Sequence, residues 1–405
     1  MNIVLLSPGY PAEMAEFTRG LARVGAHVIG LGEHPAHSLP DNARNALSSY
    51  VQVRSLVDEE GIAEQLEHLG RHVRIDRLEC LWEPFMMLAA RLRERLGLPG
   101  MTVDQTEPFR DKEKMKQVLD AAGIRTPRHR QANSEQDIRD AVAAIGYPVV
   151  IKPLAGAGSA DTFRVNNDAE LDAVVGKVSH VRNLSVEEYI DGEEYTFDTV
   201  CSRGKVLYEN IAWYRPKPMI GRAEEWISMQ TVNLADIEAP HLQAGRKLGA
   251  DVLKALGFRT GFSHMEWFLT PSGEAVFGEI GGRPPGGRSV DLMNYSNDFD
   301  IYVGWAEAIT GQPFTQAPSR EYNAAATFKR ALGHGVIHHI EGLEALRERF
   351  GEYLVLVDLL PYGAPRRNWK QTLIGDGYLV VRHPNLEKTL EMADQVGTDL
   401  TIYAS

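Results

Sequence analysis

Two short segments carry carboxylates at a spacing that invites chemistry. His264-Met265-Glu266-Trp267-Phe268-Leu269 and Ala275-Val276-Phe277-Gly278-Glu279-Ile280 alternate apolar and polar side chains across the turn Thr270-Pro271-Ser272-Gly273-Glu274. The pattern predicts a β-hairpin. Pairing Leu269 with Glu274 sets Glu266 opposite Phe277 and His264 opposite Glu279. The two glutamates then project from one face as diagonal neighbours, about 7–8 Å apart at the backbone. Convergent carboxylates can hold a hard divalent cation together with phosphate oxygens, or share acid and base work as in glycosidases. A polar hairpin edge is the plain structural alternative, and a one-residue slip would send Glu266 to the other face. Gly281-Gly282-Arg283-Pro284-Pro285-Gly286-Gly287-Arg288 follows at once and adds two guanidinium groups. Carboxylates beside arginines suit phosphoryl or acyl phosphate chemistry better than sugar hydrolysis. Arg288 is a candidate for holding a substrate carboxylate, against the alternative of a surface arginine after a turn. His264 would sit beside the carboxylate face, although a lone strand histidine is commonly structural.

A second constellation starts at Lys152, which ends the β-rich run Tyr147–Lys152 and precedes a loop containing Gly156, Gly158 and Ser159. Glycines let backbone N–H groups approach an anion, and a lysine at the strand end adds a point charge. A hairpin with a flexible tip reads equally well. The lysine precedes the glycines, so this is not a nucleotide-binding loop of the Gly-x4-Gly-Lys-Ser/Thr type. Downstream, Glu187-Glu188-Tyr189-Ile190-Asp191-Gly192-Glu193-Glu194 is an acidic turn between two strand-like runs. It is either a solvated turn or a set of backbone and carboxylate groups for a purine edge and ribose hydroxyls. Tyr208 to Thr231, with Trp213, Tyr214, Arg215, Lys217, Arg222 and Trp226, reads as a polar-aromatic loop that covers an acceptor site or makes a dimer contact.

These groups need a scaffold, and 405 residues supply two to four units at roughly 100–200 residues each. Hydrophobic residues are 43% and charged residues 24%, which is ordinary globular usage and excludes global disorder. With 43 Lys+Arg against 55 Asp+Glu the net charge is −12, which argues against duplex nucleic-acid binding. Only Cys80 and Cys201 are present, too few for a disulfide framework or a structural zinc site. Neither a secretion signal nor a run of about 18 apolar residues is found, so a cytoplasmic protein without membrane contact is expected. Residues 2–6, 12–24 and 26–31 read as strand, helix and strand, the opening of a doubly wound parallel sheet without the three-glycine dinucleotide fingerprint. A helix opens at Asp111-Lys112, burying Met115, Val118, Leu119 and Ala122, and Gly123 closes it. From Tyr147 onward the pattern is α+β. The last unit has strands near 353–360 and 378–382 and helices near 343–350 and 386–396.

Taken in order, these motifs resemble the ATP-grasp superfamily, in particular its carboxylate–amine ligases, over roughly Asp111 to Arg288. The flanking regions resemble that family's N-terminal pre-grasp domain and the C-terminal subdomain of biotin carboxylase-like members. The resemblance implies an ATP-grasp fold of mixed α/β and α+β class. It divides into a doubly wound pre-grasp domain (1–105), an N-terminal grasp lobe (106–184), a C-terminal grasp lobe (185–320) and an α+β C-terminal subdomain (321–405).

By that resemblance Lys112 contacts ATP, Lys152 reaches its α- and β-phosphates, and Gly156, Gly158 and Ser159 form the loop that closes over the phosphates. Glu187, Glu188, Tyr189 and Ile190 form the adenine linker, with Glu187 accepting from the purine amino group, and Glu194 binds ribose. Glu266 and Glu279 hold Mg2+, with Mn2+ as an alternative, and Arg283 stabilises the transferring phosphoryl group. Where many members carry a third metal ligand, Asn, two residues after the second acid, this chain has Gly281, so water or a different metal count takes that place. The implied reaction activates a small carboxylate, such as an amino acid, as an acyl phosphate that an amine attacks, giving an amide, ADP and phosphate. Two alternatives remain: an ATP-dependent carboxylase of the biotin or purine type, and an ATP-binding scaffold without turnover. A homodimer is the commonest closed assembly.

Overall fold

The computed structural model describes residues 1–153, 162–178 and 183–405. Among the described residues the strands form four sheets. The first contains β1 (Asn2–Leu6), β2 (His27–Gly32), β3 (Ser49–Gln52) and β4 (Arg77–Glu79), all parallel in the order β3-β2-β1-β4. Strands buried on both faces read as unbroken apolar runs, and Ile3-Val4-Leu5-Leu6 is fully buried. Helix α1 (Met14–Arg23) follows β1 and buries Met14, Ala15, Phe17 and Leu21. Phe17 meets Tyr302 and Trp305 edge-on at 4.8 and 5.1 Å, on helix Ile301–Thr310. The core of this first unit is therefore continuous with residues from far along the chain, including Val200 and Phe262.

The second sheet is antiparallel: β5 (His129–Ala132), β6 (Val149–Pro153), β7 (Phe163–Val165) and β8 (Leu184–Glu188), ordered β5-β8-β6-β7. Helix α2 (Lys112–Ala121) precedes it, with the Asp111 carboxylate accepting from the N–H groups of Glu113 and Lys114, and Gly123 takes the positive φ of 71° that ends the helix.

The third sheet has nine strands. β9 (Glu193–Ser202), β10 (Lys205–Asn210), β11 (Ala212–Arg215), β12 (Gln230–Asn233), β13 (Gly261–Leu269), β14 (Ala275–Gly281), β15 (Asn323–Lys329), β16 (Leu354–Leu359) and β17 (Gly377–His383) run in the order β14-β13-β9-β11-β12-β15-β17-β16, with β10 paired to β9. Three of these strands lie beyond residue 320, so the large sheet crosses into the last unit without a break. A small sheet of Leu332–Gly333, Ile337–Glu341 and Thr401–Ala404 completes the set. Among the described residues no helix is long and apolar enough to cross a membrane.

The expected loop from Tyr208 to Thr231 is corrected by this sheet. Tyr208 is buried on β10, and Trp213 and Tyr214 lie on β11, so only the stretch between Arg215 and Gln230 leaves the sheet.

One face of the large sheet is core. Tyr195, Phe197, Met265, Trp267 and Phe277 are buried there, against helix α3 (Gln243–Ala255). Two glycines permit the approach: a Cβ on Gly245 would lie 2.1 Å from the Trp267 ring, and one on Gly249 2.2 Å from Phe197. Helix propensity alone favours alanine over glycine by about 0.8–1.0 kcal/mol. Overpacking against an immovable indole costs about 1–3 kcal/mol, and it decides the sign. Gly245→Ala is expected to lower the urea-unfolding free energy by about 1–2 kcal/mol, whereas Gly70→Ala, with open space around it, should not lower it.

Candidate active site

The opposite face of the large sheet looks into a cleft of about 1290 Å3. Its walls come from the N-terminal unit of the parallel sheet (Tyr10, Glu13, Trp82, Glu83), the entry to α2 (Arg110, Lys112), the end of β6 (Lys152), the stretch Glu187–Ile190, and the turn after β14 (Arg283 to Gly287). On the sheet face, cross-strand register places the chemistry in rows. Asp198, His264 and Gly281 lie side by side across β9, β13 and β14, and Thr196, Glu266 and Glu279 form the next row. Glu194 stands opposite Phe268, on the same face as Glu266 because side chains alternate with a period of two.

The hairpin register differs from the expected one by two residues. Leu269 pairs with Ala275, not Glu274, because the turn has five residues between the pairing strands. A bulge then places Gly278 between two paired positions, and a Cβ there would sit 2.8 Å from the Glu266 carbonyl oxygen. Each shift alone would flip a face; together they restore it. Glu266 and Glu279 consequently stand directly opposite each other instead of diagonally.

The cations of the cleft are held by carboxylates. Lys112 Nζ is 3.0 Å from Glu279, and Lys152 Nζ is 2.8 Å from Glu187 Oε2. The other Glu187 oxygen pairs with Lys116, a buried lysine on α2 that sequence reasoning missed. Lys116 shares the helix with Lys112, one turn on, and that spacing was the available signal. Burial works against a charged Glu187, but the ammonium groups of Lys152 and Lys116 prevail and hold its carboxyl far below the usual range. Burial lowers the Lys116 pKa, while at Lys152 the charges of Glu187 and Glu279 overcome burial and raise it. Both oxygens of Glu187 are thus engaged with lysines.

Arg283 donates from Nε and Nη2 to Glu83 Oε2, at 2.9 and 2.5 Å, and from Nη1 to the Pro284 carbonyl. Glu83 also pairs with Arg110. His264 Nδ1 is 2.6 Å from Asp198 Oδ1, and Nε2 lies 3.6 Å from Glu266 Oε1, which also accepts from the Tyr214 hydroxyl at 3.3 Å. Burial opposes a charged His264, but Asp198 and Glu266 raise it to about 9. Glu194 is pushed up to about 8, by burial first and the charge of Glu266 second.

Eleven of the expected site residues line this cleft or its floor: Lys112, Lys152, Glu187, Glu188, Tyr189, Ile190, Glu194, His264, Glu266, Glu279 and Arg283. Gly156, Gly158 and Ser159 lie outside the described residues. Arg288 stands beside this lining, between Gly287 and Ser289 which belong to it, with its guanidinium 2.8 Å from Asp291 and 3.2 Å from the Tyr378 hydroxyl. Among the described residues no three of His, Cys, Asp and Glu gather closely enough to hold a metal alone. The opposed carboxylates Glu266 and Glu279 nevertheless fit the hard oxygen chemistry of Mg2+, which commonly takes one or two carboxylates and completes its shell with substrate phosphates and water.

Comparison with known proteins agrees with this geometry. Residues 21–100 match the family model of the ATP-grasp N-terminal domain, and residues 109–212 that of the ATP-grasp domain. The formate-dependent phosphoribosylglycinamide formyltransferase of Synechocystis sp. is 25% identical over 316 residues, 74% of this chain and 74% of that protein. The L-arginine-specific L-amino acid ligase of Bacillus subtilis is 25% identical over 219 residues, 52% of each. Matches to these and to an uncharacterized Sinorhizobium fredii protein span from 52% to 74% of the relatives' own lengths. Among solved structures, the L-amino acid ligase from Bacillus licheniformis superposes with a TM-score of 0.78 at 22% identity, covering 100% of this chain and 98% of that one. The biotin carboxylase domain of Hydrogenobacter thermophilus 2-oxoglutarate carboxylase, solved with MgADP, ADP and bicarbonate, gives 0.69 at 17% identity, covering 99% and 91%. At these identities the structural likeness is one of fold.

The lysine pair around Glu187 is directly testable. Glu187→Gln leaves two buried ammonium groups without their counter-charge, and removing one partner of a buried pair costs about 3–5 kcal/mol. Denaturant unfolding should show a loss of that order, and the double variant Lys116→Met/Glu187→Gln should recover part of it. A Glu187→Gln protein as stable as the wild type would refute the pairing.

Proposed function

We propose that this chain, which belongs to the ATP-grasp superfamily, is an ADP-forming ligase that activates a small carboxylate, such as an amino acid, as an acyl phosphate and joins it to an amine. The observation that carries this reading is the convergence on one cleft of Lys112, Lys152 and Arg283 with the opposed carboxylates Glu266 and Glu279. Phosphoryl transfer needs chiefly positioning and charge neutralisation, and those groups supply both.

In this reading Lys112 and Lys152 meet the nucleotide phosphates, the backbone of Glu188 to Ile190 meets the adenine edge, and Glu194 meets ribose. Glu187 orients Lys152 from beneath. Glu266 and Glu279 would hold Mg2+, which when bound supplies positive charge to the phosphate oxygens. A substrate carboxylate oxygen attacks the γ-phosphorus as the bond to the β,γ-bridging oxygen breaks, releasing ADP. Arg283 exchanges contacts with Glu83 for the charge developing on the transferring group. The amine nitrogen then attacks the acyl carbon, the C–O bond to phosphate breaks with its electron pair, and the nitrogen loses a proton, leaving amide and inorganic phosphate. No covalent enzyme nucleophile is needed, and both cysteines are buried.

The reading is tested by ADP and phosphate release against panels of carboxylates and amines, with formate and bicarbonate as separate arms. Release that requires a carboxylate and an amine together, with an amide product by mass spectrometry, is expected. Release driven by bicarbonate would favour a carboxylase, and nucleotide binding with no turnover would favour a scaffold. Lys152→Ala and Glu279→Ala should each lower kcat by at least about 100-fold, the scale for removing one preorganised electrostatic contact, with circular dichroism unchanged. Full activity in either variant would overturn the site assignment.

A further inference from the structure

A ligase of this kind handles two carboxylic acids whenever its amine substrate is itself an amino acid. One is consumed as the acyl phosphate; the other persists as a carboxylate and needs a cationic partner of its own. Most cations lining the cleft are already matched with acids: Arg110 and Arg283 with Glu83, Lys112 with Glu279, Lys152 with Glu187, Lys217 with Asp191, His264 with Asp198. Arg222 is the exception among the described residues. It lines the cleft, is half-buried, and makes one hydrogen bond, from Nη2 to the Lys370 carbonyl at 2.8 Å, with no carboxylate in contact.

Its surroundings deepen the imbalance. Arg330 donates to the carbonyls of Gly221, Glu224 and Glu225, which ties the Arg222 segment to β15 and brings a second guanidinium close enough to repel the first. Burial lowers the Arg222 pKa with no acid to offset it. The neighbouring cleft wall is apolar: Met219, Ile220, Met229, Phe328 and Leu373 all line it. Ile220 and Leu373 are 49% and 42% exposed, large apolar side chains kept open to the cleft. An unmatched guanidinium fork beside an apolar wall is complementary to a carboxylate carried next to an apolar side chain. A phosphomonoester, with three acceptor oxygens and nearly two charges, would call for more donors than this wall offers.

We infer that Arg222 forms the acceptor subsite, binding the free carboxylate of an apolar α-amino acid whose amino group is the nucleophile. This rests on the ligase reading above and names the class of its amine substrate.

The test uses the full chain with Mg2+ and a non-hydrolysable ATP analogue, and calorimetry of three probes: L-leucine, L-leucinamide and O-phosphoethanolamine. Wild type should bind leucine about 30- to 100-fold more tightly than leucinamide, the scale of a charge-assisted pair. Arg222→Gln should erase that preference while leaving analogue affinity unchanged, and Arg222→Lys should retain part of it. Equal binding of leucine and leucinamide, an undiminished preference in Arg222→Gln, or tightest binding of phosphoethanolamine would each overturn the subsite. In turnover, Arg222→Gln should raise the KM of the amine substrate and leave that of ATP unchanged. Leucine binding that depends on Arg222 without amide formation by any pair would refute the ligase reading and leave the subsite standing.

Discussion

Ion pairs between buried cations and carboxylates organise most of the cleft. Isolated ionised groups lose several kcal/mol of hydration on burial, which a counter-charge within the fold offsets. Here the counter-charges come from different elements. Glu83 of the N-terminal unit holds Arg283 after β14, Glu187 of β8 holds Lys116 of α2 and Lys152 of β6, and Glu279 of β14 holds Lys112 at the start of α2. The Glu83–Arg283 and Glu279–Lys112 contacts join elements far apart in the fold, whereas Glu187 joins helix α2 to the neighbouring strand β6 of its own sheet. In the proposed reaction an incoming polyphosphate would therefore meet cations already desolvated and aimed, and would compete with carboxylates instead of with bulk water.

The sheet that carries these acids works because its two faces are kept distinct. The rows Asp198–His264–Gly281 and Thr196–Glu266–Glu279 face the cleft, while Phe197, Met265 and Trp267 fill the core behind them. Gly245 and Gly249 bring helix α3 onto that core so closely that a Cβ at either position would collide with the Trp267 or Phe197 ring. Fixing the rear face fixes the front, because adjacent residues on a strand point to opposite sides. The buried Asp198 extends the same logic to His264, whose Nδ1 it holds so that Nε2 turns toward Glu266.

Much of this was legible in residue patterns. The opening strand, helix and strand read as 2–6, 12–24 and 26–31 are Asn2–Leu6, Met14–Arg23 and His27–Gly32. Lys152, Glu266, Glu279 and Arg283 share one cleft, as the motif order implied. What escaped was information stored in tertiary geometry. The hairpin register could not be counted from the sequence because a five-residue turn and the Gly278 bulge each shift it by one, and the shared face survived only because two shifts cancel. Arg222 and Arg288 look alike as arginines near glycines. Their difference lies in Asp291 and Tyr378, which satisfy one and are not near the other. Lys116 was hidden because a lysine on an amphipathic helix ordinarily faces water, and Glu187 supplies the reason it does not.

Net charge follows from the same pairing. A protein with 55 acids and 43 bases seems ill suited to an anionic nucleotide, yet several of those acids are spent inside the cleft holding the bases in place. Surface charge governs steering and solubility, whereas affinity at a site depends on what remains uncompensated there. Lysines and arginines matched to glutamates leave little net field of their own. In the proposed reaction they would become strong anion binders as phosphate oxygens displace those glutamates or as a divalent cation draws the carboxylates to itself. Arg222 meets no acid among the described residues and needs no such exchange. On the proposed reading the cleft would therefore use two kinds of positive charge: one set released by the nucleotide and its metal, and one available to a smaller anion without them.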